Sequence, residues 1–338
     1  MYKSSIAQAP SEAVLALDNL YKEFSIKTGL FKTKPLVACN GISFSLRKGN
    51  GLALVGESGC GKSTVARCIL QLEKATKGRI FLQGQDMGSF DKKQLKAARS
   101  KIQMVFQDPA DCLNPRFNVR QMLTEVLRFH TNLNPAQRHA RCIDLLNQVG
   151  MDVDCLEKYP HEFSGGQQQR LGIARALATG ADIFVLDEPT AALDTSIQGQ
   201  ILELLIKLKK ENQFSYLFIT HNLGVIQYLC EETAVMYLGK IVEIGPTEEV
   251  MTRPIHPYTK ALLSSIPVPD PEIQPDRSEK LTGETPSPIA IPAGCFLAKR
   301  CAYAQDACGQ CTMALQEYGH GHFSSCIFAK SFSDIAGD

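Results

Sequence analysis

A glycine-rich segment carries the residue types and spacing needed to hold a phosphate group. It reads Gly56-Glu57-Ser58-Gly59-Cys60-Gly61-Lys62-Ser63-Thr64 and fits G-x-x-x-x-G-K-[ST]. Its glycines let the backbone curl so that successive N–H groups point at phosphate oxygens, and the following helix adds its positive end. Lys62 is therefore expected to contact the β- and γ-phosphates of a nucleotide, and Ser63 to offer its hydroxyl to Mg²⁺.

A pair of carboxylates follows an apolar run further along the chain. Residues 183–186 are Ile-Phe-Val-Leu, and Asp187 and Glu188 come next. A buried strand would deliver Asp187 to the carboxyl edge of a sheet, where it could hold Mg²⁺ directly or through water. Glu188 could polarise a water for attack on the γ-phosphate. Standing alone, such a pair is also typical of a solvated turn, so the assignment depends on the phosphate-binding segment.

A short segment after Phe163 has the composition of a helix start. Ser164-Gly165-Gly166-Gln167 could form a small anion site from a serine hydroxyl and glycine amides, although an ordinary helix N-cap would explain it as well. Together, the three segments resemble the nucleotide-binding subunits of ABC transporters, whose signature is L-S-G-G-Q. Phe163 stands where that signature has Leu.

The resemblance implies roles for further residues in chain order. Gln107 matches the Q-loop glutamine, which senses Mg²⁺ and the membrane subunits. Leu193 and Asp194 match the D-loop, which crosses the dimer interface. His221 matches the switch histidine that contacts the γ-phosphate. A lone histidine after a strand is more often structural, so its role depends on this ordered context.

Members of the family work as head-to-tail pairs, and the resemblance implies the same here. The phosphate loop of one subunit binds ATP, and the segment from Ser164 to Gln167 of the other subunit caps it. Phe24 resembles the aromatic residue that stacks on adenine, with Tyr21 and Phe31 as competitors.

The composition is that of a soluble globular protein. Apolar residues make up 44% of the 338 and charged residues 21%, and the net charge of +1 provides no basic field that would call for nucleic acid. The first 20 residues lack the pattern of a signal peptide, and no apolar run is long enough to cross a bilayer. A membrane role must therefore come through a partner.

The elements that must position these residues alternate between strands and helices. Strand patterns lie at 14–24, 42–46, 52–55, 78–83, 102–106, 183–186 and 217–220, and helical patterns at 63–71, 120–150, 167–177 and 196–210. The alternation predicts an α/β fold with a largely parallel sheet. The resemblance implies a P-loop NTPase (RecA-like) core with an antiparallel β subdomain, a helical subdomain at about 112–177 and a Cys-rich C-terminal extension. We expect a nucleotide-binding domain over 1–265 and a Pro-rich linker and extension over 266–338.

The C-terminal third resembles one branch of the family. The run from His256-Pro257-Tyr258 to Leu263, the prolines 267, 269 and 271 after it, and the segment 108–116 resemble the dipeptide and oligopeptide importer ATPases. Nickel and glutathione importers share the pattern, so nickel, glutathione or another small solute remains an alternative cargo. The resemblance implies two transmembrane permease subunits, a second homologous ATPase in a heterodimer, an extracytoplasmic substrate-binding protein and a peripheral place on the cytoplasmic face of the inner membrane.

Five of the twelve cysteines crowd the end of the chain. Four of them match a family tail that in some members binds a [4Fe-4S] cluster: Cys295, Cys301, Cys308 and Cys326. Converging thiolates in a reducing compartment favour Fe–S or Zn²⁺ over disulfides. Cys311, His320 and His322 lie nearby as further donors, and a tail without metal is the alternative.

Two other classes of function compete with a transporter ATPase. A soluble ABC ATPase of the translation or DNA-repair type would need two cassettes or a long coiled coil, and the sequence has neither. A module that binds nucleotide without hydrolysing it would not need Glu188 or His221.

Overall fold

The computed structural model describes residues 13–27, 33–109, 112–265 and 281–333. Its strands are β1 (Ala13–Lys27), β2 (Thr33–Arg47), β3 (Gly51–Val55), β4 (Lys77–Leu82), β5 (Gln85–Asp86), β6 (Ile102–Val105), β7 (Ile183–Asp187), β8 (Ser215–Thr220), β9 (Glu232–Tyr237), β10 (Lys240–Pro246), β11 (Gln316–Glu317) and β12 (Phe323–Ser324). Its helices are α1 (Lys62–Ile69), α2 (Lys92–Lys101), α3 (Val119–His130), α4 (Pro135–Gln148), α5 (Gly165–Leu177), α6 (Thr195–Asn212), α7 (Thr247–Thr252), α8 (Pro257–Ser264) and α9 (Lys330–Ser333).

The chain divides into two compact units. The first contains the described residues of Met1–Arg47, Gly51–Gly88 and Ile219–Asp338, and the second contains Lys48–Asn50 and those of Ser89–Phe218. No helix among the described residues has the length and hydrophobicity that a membrane span requires. Of the predicted Pro-rich linker, the prolines 267, 269, 271 and 275 lie outside the described residues.

An antiparallel sheet in the first unit has the strand order β2-β1-β4-β5. The strands β1 and β2 pair along most of their length, with Leu17 opposite Phe44. Both side chains are fully buried, and so are Leu15 and Leu20. Ala16 lies between Leu15 and Leu17, points to the opposite side of the sheet and is 2% exposed, so both faces of β1 are covered here. The antiparallel β subdomain and its predicted strands are confirmed.

A second set of strands in the first unit is ordered β11-β12-β10-β9-β3. The strands β3 and β9 run parallel, with Leu54 opposite Ala234, and every residue of β3 is buried. Its continuous apolar composition is typical of a parallel strand covered on both faces. The end of β3 is therefore a rigid support for the segment that follows it.

The second unit combines strands ordered β8-β7-β6 with the helices α2 to α6. The strands β6 and β7 are parallel, with Val105 opposite Leu186. The helical pattern at 120–150 forms two helices, because Asn134 and Gln137 make a capping box and Pro135 occupies the first position of α4. The predicted α/β class is confirmed.

A buried carboxylate connects β10, the start of α8 and β12 in the first unit. Glu243 is inaccessible to solvent, and its carboxylate accepts hydrogen bonds from the backbone N–H of Ile255 at 2.9 Å and of His256 at 3.0 Å. Nε2 of His322 lies 2.7 Å from the same carboxylate. Nδ1 of His256 caps α8 by accepting from the N–H of Tyr258 at 3.1 Å. A buried carboxylate needs such partners.

The buried His256 predicts a pH-dependent stability. Desolvation lowers its pKa to about 3, whereas an unfolded histidine titrates near about 6.5. As the pH falls below 6.5 the unfolded chain takes up a proton and the folded one does not. The free energy of unfolding therefore carries the full contribution of the neutral His256 above pH 6.5. As the pH falls from 6.5 towards 3, the free energy of unfolding decreases by about 1.4 kcal/mol per pH unit.

The variant His256→Asn keeps an acceptor at the helix N-cap and removes this titration. Between pH 7 and pH 5, urea unfolding should show the wild type losing about 2 kcal/mol more than the variant. His139→Asn, at an exposed position, should behave as the wild type does. Equal losses in the wild type and in His256→Asn would contradict the assignment.

Candidate nucleotide-binding site

The phosphate-binding segment forms a tight loop between β3 and α1 in the first unit. Gly56 and Gly61 have φ angles of 151° and 109°, in the left-handed range that favours glycine. A Cβ atom at Gly56 would lie 2.2 Å from the carbonyl oxygen of Met236, and one at Gly61 would lie 2.1 Å from that of Ala38. Neighbouring backbone therefore requires glycine at both positions, and the loop is held closely by the sheet beneath it.

The side chain of Lys62 lies inside this loop. It is 5% exposed, and its ammonium donates to the carbonyl oxygens of Gly56 at 2.7 Å and Glu57 at 3.1 Å, with the sulfur of Cys60 at 3.9 Å. Ser58, Gly59 and Ser63 are exposed, and Thr64 is half-buried. The loop thus presents a lysine charge and a helix start, which is the chemistry that binds phosphate.

The acidic residue of the loop has partners that no local sequence pattern indicates. Oε2 of Glu57 accepts from Arg300 at 2.9 Å and from the hydroxyl of Thr285 at 3.1 Å, and Oε1 accepts from Arg300 at 3.0 Å. The backbone N–H of Glu57 donates to the hydroxyl of Tyr258 at 2.8 Å. Arg300 also donates to the hydroxyl of Tyr237 at 3.4 Å. Sequence reasoning missed these contacts.

The remaining expected residues of the first unit lie on β1 and after β8. Phe24 is half-buried on β1, with Nζ of Lys22 4.6 Å from its ring centroid. Tyr21 lies on the same strand, whereas Phe31 lies outside the described residues. His221 directly follows β8 and is exposed.

In the second unit, the segment around Ser164 begins α5 as expected. Oγ of Ser164 accepts from the N–H of Gln167 at 3.4 Å, and Oε1 of Gln167 accepts from the N–H of Ser164 at 3.0 Å. Ser164, Gly165 and Gln167 are exposed. A Cβ at the buried Gly166 would lie 2.4 Å from Cγ2 of Ile197, so α5 can pack closely on α6 there. The capping box satisfies the N–H groups of Ser164 and Gln167 within the segment, and the helix start faces solvent.

The predicted acidic pair also lies in the second unit. Asp187 is the last residue of β7 and is 7% exposed. Glu188 has a φ of 47°, a left-handed conformation that is uncommon for a residue with a side chain. Gln107 is exposed, two residues beyond the end of β6.

Two buried or half-buried glutamine contacts hold the loops of this unit, and sequence reasoning missed both. Gln169 is 1% exposed, and its amide donates to the carbonyl oxygen of Phe106 at 3.3 Å, next to Gln107. The amide of Gln198 donates to the carbonyl oxygens of Thr190 at 3.0 Å and Leu193 at 2.9 Å. The run of three glutamines at 167–169 is the only local signal for the first contact.

The cysteines of the C-terminal extension are free thiols, and neighbouring ones affect the pKa of each other. The N–H of Cys295 donates to the carbonyl oxygen of Cys308 at 2.8 Å. Burial, with smaller effects from neighbouring cysteines, raises the pKa of Cys295 to about 11 and that of Cys326 to about 12. Across residues 13–27, 33–109, 112–265 and 281–333, no group of three or more His, Cys, Asp or Glu side chains is placed to hold a metal ion. The expected metal site is thus not supported by this arrangement.

Comparisons with known families match two parts of the chain. Residues 39–191 match the model described as ABC transporter. Residues 242–308 match the model described as oligopeptide/dipeptide transporter, C-terminal region.

Individual relatives match over most of their length. The oligopeptide transport ATP-binding protein AppF of Bacillus subtilis is 42% identical, with 94% of this chain and 98% of the relative covered. The dipeptide transport ATP-binding protein DppF of Escherichia coli is 42% identical, with 94% of each covered.

Solved structures show the same fold. The cbiO1 protein of Clostridium perfringens, part of an ABC transporter complex, is 26% identical with a TM-score of 0.62, over 71% of this chain and 90% of that one. The ATP-binding cassette MJ0796, in a dimeric post-hydrolysis state with ADP and Pi, is 27% identical with a TM-score of 0.62, over 69% and 98%.

Proposed function

This chain belongs to the ATP-binding subunits of ABC transporters, and from that membership we propose that it energises import of di- or oligopeptides across the cytoplasmic membrane. It is an ATPase of that family. The observation that carries the proposal is the phosphate loop, where neighbouring backbone requires glycine at two positions and Lys62 lies inside. The cargo is assigned from the C-terminal region at residues 242–308 and from the names of AppF and DppF.

The residues of each unit then take distinct roles toward ATP and Mg²⁺. The segment from Gly56 to Thr64 binds the phosphates through backbone N–H groups other than that of Glu57, which donates to Tyr258, and through the ammonium of Lys62. By the family resemblance, Ser63, Gln107 and Asp187 would hold Mg²⁺, which would supply positive charge to the phosphates. Glu188 polarises the attacking water, His221 contacts the γ-phosphate, and Phe24 stacks on adenine. The burial of Asp187 at a strand end and the left-handed backbone of Glu188 support these assignments.

A second ATPase completes the proposed site. We infer that Ser164, Gly165, Gly166 and Gln167 cap the ATP that the partner's phosphate loop binds, and that Leu193 and Asp194 lie in the interface. The exposure of the α5 start supports this, because an anion can reach its N–H groups. We propose a heterodimer with a homologous ATPase, as in the peptide-importer branch. Closure around ATP would exclude all water but the nucleophile.

The wider assembly follows from the same proposal. Two transmembrane permease subunits would carry the pair on the cytoplasmic face of the inner membrane, and an extracytoplasmic binding protein would deliver the cargo.

Within the chain we propose a nucleotide-binding domain over 1–265, with a helical subdomain at about 112–177, and a C-terminal extension over 266–338. We propose no nucleic-acid partner, because the net charge of +1 provides no basic field.

Reconstitution tests this function. The chain, co-expressed with candidate permease subunits and a second ATPase and reconstituted in vesicles, should show ATP hydrolysis that rises when peptide-loaded binding protein is added. Stimulation by nickel or glutathione instead would reassign the cargo. Full hydrolysis without any membrane subunit, and no association with one, would favour a soluble ABC ATPase.

We further propose that the C-terminal thiols bind a structural [4Fe-4S] cluster. Cys295, Cys301, Cys308 and Cys326 would be its ligands, since thiolates are what such clusters require. The cluster would cross-link the extension. The backbone bond between Cys295 and Cys308 supports the proposal by bringing two of the four close together.

Metal analysis of protein purified without oxygen tests this proposal. We expect about four iron atoms and as many sulfides per chain, with visible charge-transfer absorption. Cys301→Ser should lose most of that absorption, whereas Cys112→Ser, in the second unit, should keep it. Zinc in place of iron, or no metal, would contradict it.

A further inference from the structure

The phosphate loop contains a carboxylate at a position where it would repel its ligand. Glu57 follows Gly56 directly, within the segment that is proposed to bind the polyanionic ATP. Like charges in the same small loop repel each other, and the effective dielectric at a protein surface weakens this repulsion without removing it. An unpaired Glu57 would therefore oppose binding of the phosphates.

Arg300 neutralises that carboxylate with both of its terminal nitrogens. Its Nη1 donates to Oε2 at 2.9 Å and its Nη2 to Oε1 at 3.0 Å, which is the bidentate geometry of strong arginine–carboxylate pairs. The Arg300 side chain is 9% exposed and that of Glu57 is 30% exposed, so solvent screens the pair only in part. The hydrogen bond to Glu57 raises the pKa of Arg300 above its usual range.

Other groups of the C-terminal part fix the same residue in place. The hydroxyl of Thr285 donates to Oε2 of Glu57, and the hydroxyl of Tyr258 accepts from its backbone N–H. Arg300 is in turn held by the hydroxyl of Tyr237, whose ring centroid lies 4.7 Å from that of Tyr258. The side chain and the backbone of Glu57 are thus both attached to residues beyond 236, all within the first unit.

We propose that Arg300 is a positioning residue for nucleotide binding, which cancels the charge of Glu57 and thereby lets the C-terminal extension set the affinity for ATP. Arg300 need not touch the nucleotide to do so. The inference rests on the proposed function, because it requires ATP to bind at residues 56–64. A displaced extension would expose the Glu57 carboxylate and weaken binding, even with Lys62 intact.

If Arg300 cancels the charge of Glu57, a double-mutant cycle on these two residues should give a specific set of Kd values for Mg·ATP. We would titrate Mg·ATP by calorimetry into the wild type, Arg300→Ala, Glu57→Gln and the double variant, with thermal unfolding measured in parallel. Arg300→Ala should raise the Kd about tenfold or more, and the effect should shrink in high salt. Glu57→Gln should lower the Kd below the wild-type value, because the positive charge of Arg300 is then uncompensated and attracts the phosphates. The double variant should return to within about threefold of the wild type, because the repelling charge is gone.

A control variant removes another arginine–carboxylate pair of the same unit, one that is more exposed. Nη2 of Arg79 lies 2.8 Å from Oδ2 of Asp18, and Arg79→Ala should leave the Kd unchanged. If Arg300→Ala does not fold, Arg300→Gln, which also removes the positive charge, replaces it in the same cycle.

Three outcomes are decisive. An unchanged Kd in a folded Arg300 variant would overturn the inference. A raised Kd that Glu57→Gln does not restore would also overturn it, since loss of packing alone gives that result. A wild type that binds no nucleotide would instead contradict the proposed function, so the two failures are distinguishable.

Discussion

Replacing Glu188 by glutamine is expected to stop ATP turnover while ATP stays bound. Glutamine keeps the size of the side chain but cannot take a proton from the attacking water, and loss of a general base lowers kcat by about 10²–10⁴-fold. The left-handed backbone at this position, with φ 47°, accommodates either side chain similarly, so the fold should not change. Steady-state hydrolysis and ATP-dependent association, measured by light scattering with the paired ATPase, are the readouts.

The Glu188→Gln variant should accumulate as a closed pair in ATP, because the step that reopens the pair is blocked. Adding Ser164→Arg to it should abolish that association, since a bulky cation at the exposed start of α5 would block capping. Glu203→Gln, at an exposed position on α6, is the matched control and should hydrolyse normally. Wild-type turnover in Glu188→Gln would show that another residue is the base.

Replacing Lys62 by alanine should have the largest effect on binding. The ammonium is buried and is the proposed charge partner of the β- and γ-phosphates, and removing one member of a buried charge pair costs about 2–5 kcal/mol. The expected rise in Kd for Mg·ATP is about 30-fold to several thousand-fold. The variant also lacks the hydrogen bonds from the Lys62 ammonium to the carbonyl oxygens of Gly56 and Glu57, which stabilise the loop.

Calorimetric titration of Lys62→Ala, with thermal unfolding as a check on the fold, measures this effect. Lys77→Ala removes an exposed lysine at the start of β4 and should bind as the wild type does. If Lys62→Ala binds Mg·ATP with the wild-type Kd, the phosphates do not bind at this loop.

The parts of the fold that the sequence predicted share strong local signals. The strand β3, the glycine loop and α1 form one continuous pattern, and the helix at 165–177 begins at a recognisable cap. The helix α2 was not predicted, because its sequence Lys-Lys-Gln-Leu-Lys-Ala-Ala-Arg-Ser-Lys buries only Ala98 and so lacks an apolar stripe. The capping box of Asp91 and Gln94 was the one available signal.

The parts of the site that the sequence did not predict depend on distant contacts. The side-chain amides of Gln169 and Gln198 donate hydrogen bonds to loop carbonyl oxygens, and glutamine at such positions is equally common on a solvated surface. The partnership of Glu57 with Arg300 joins residues that no periodicity or motif connects. Local patterns therefore predict the proposed ATP-binding residues, whereas the residues that hold them in place become visible only once the chain is folded.

The separation of Glu57 and Arg300 has a consequence for how the protein is made. The two residues lie 243 positions apart, and a ribosome adding about 5–20 residues per second needs roughly 12–50 s to travel between them. During that time the nascent chain has its glycine loop but not the arginine that pairs with it. The nucleotide site is therefore among the last parts to be completed, and a chain that stops before residue 300 would carry the whole loop with its carboxylate uncompensated.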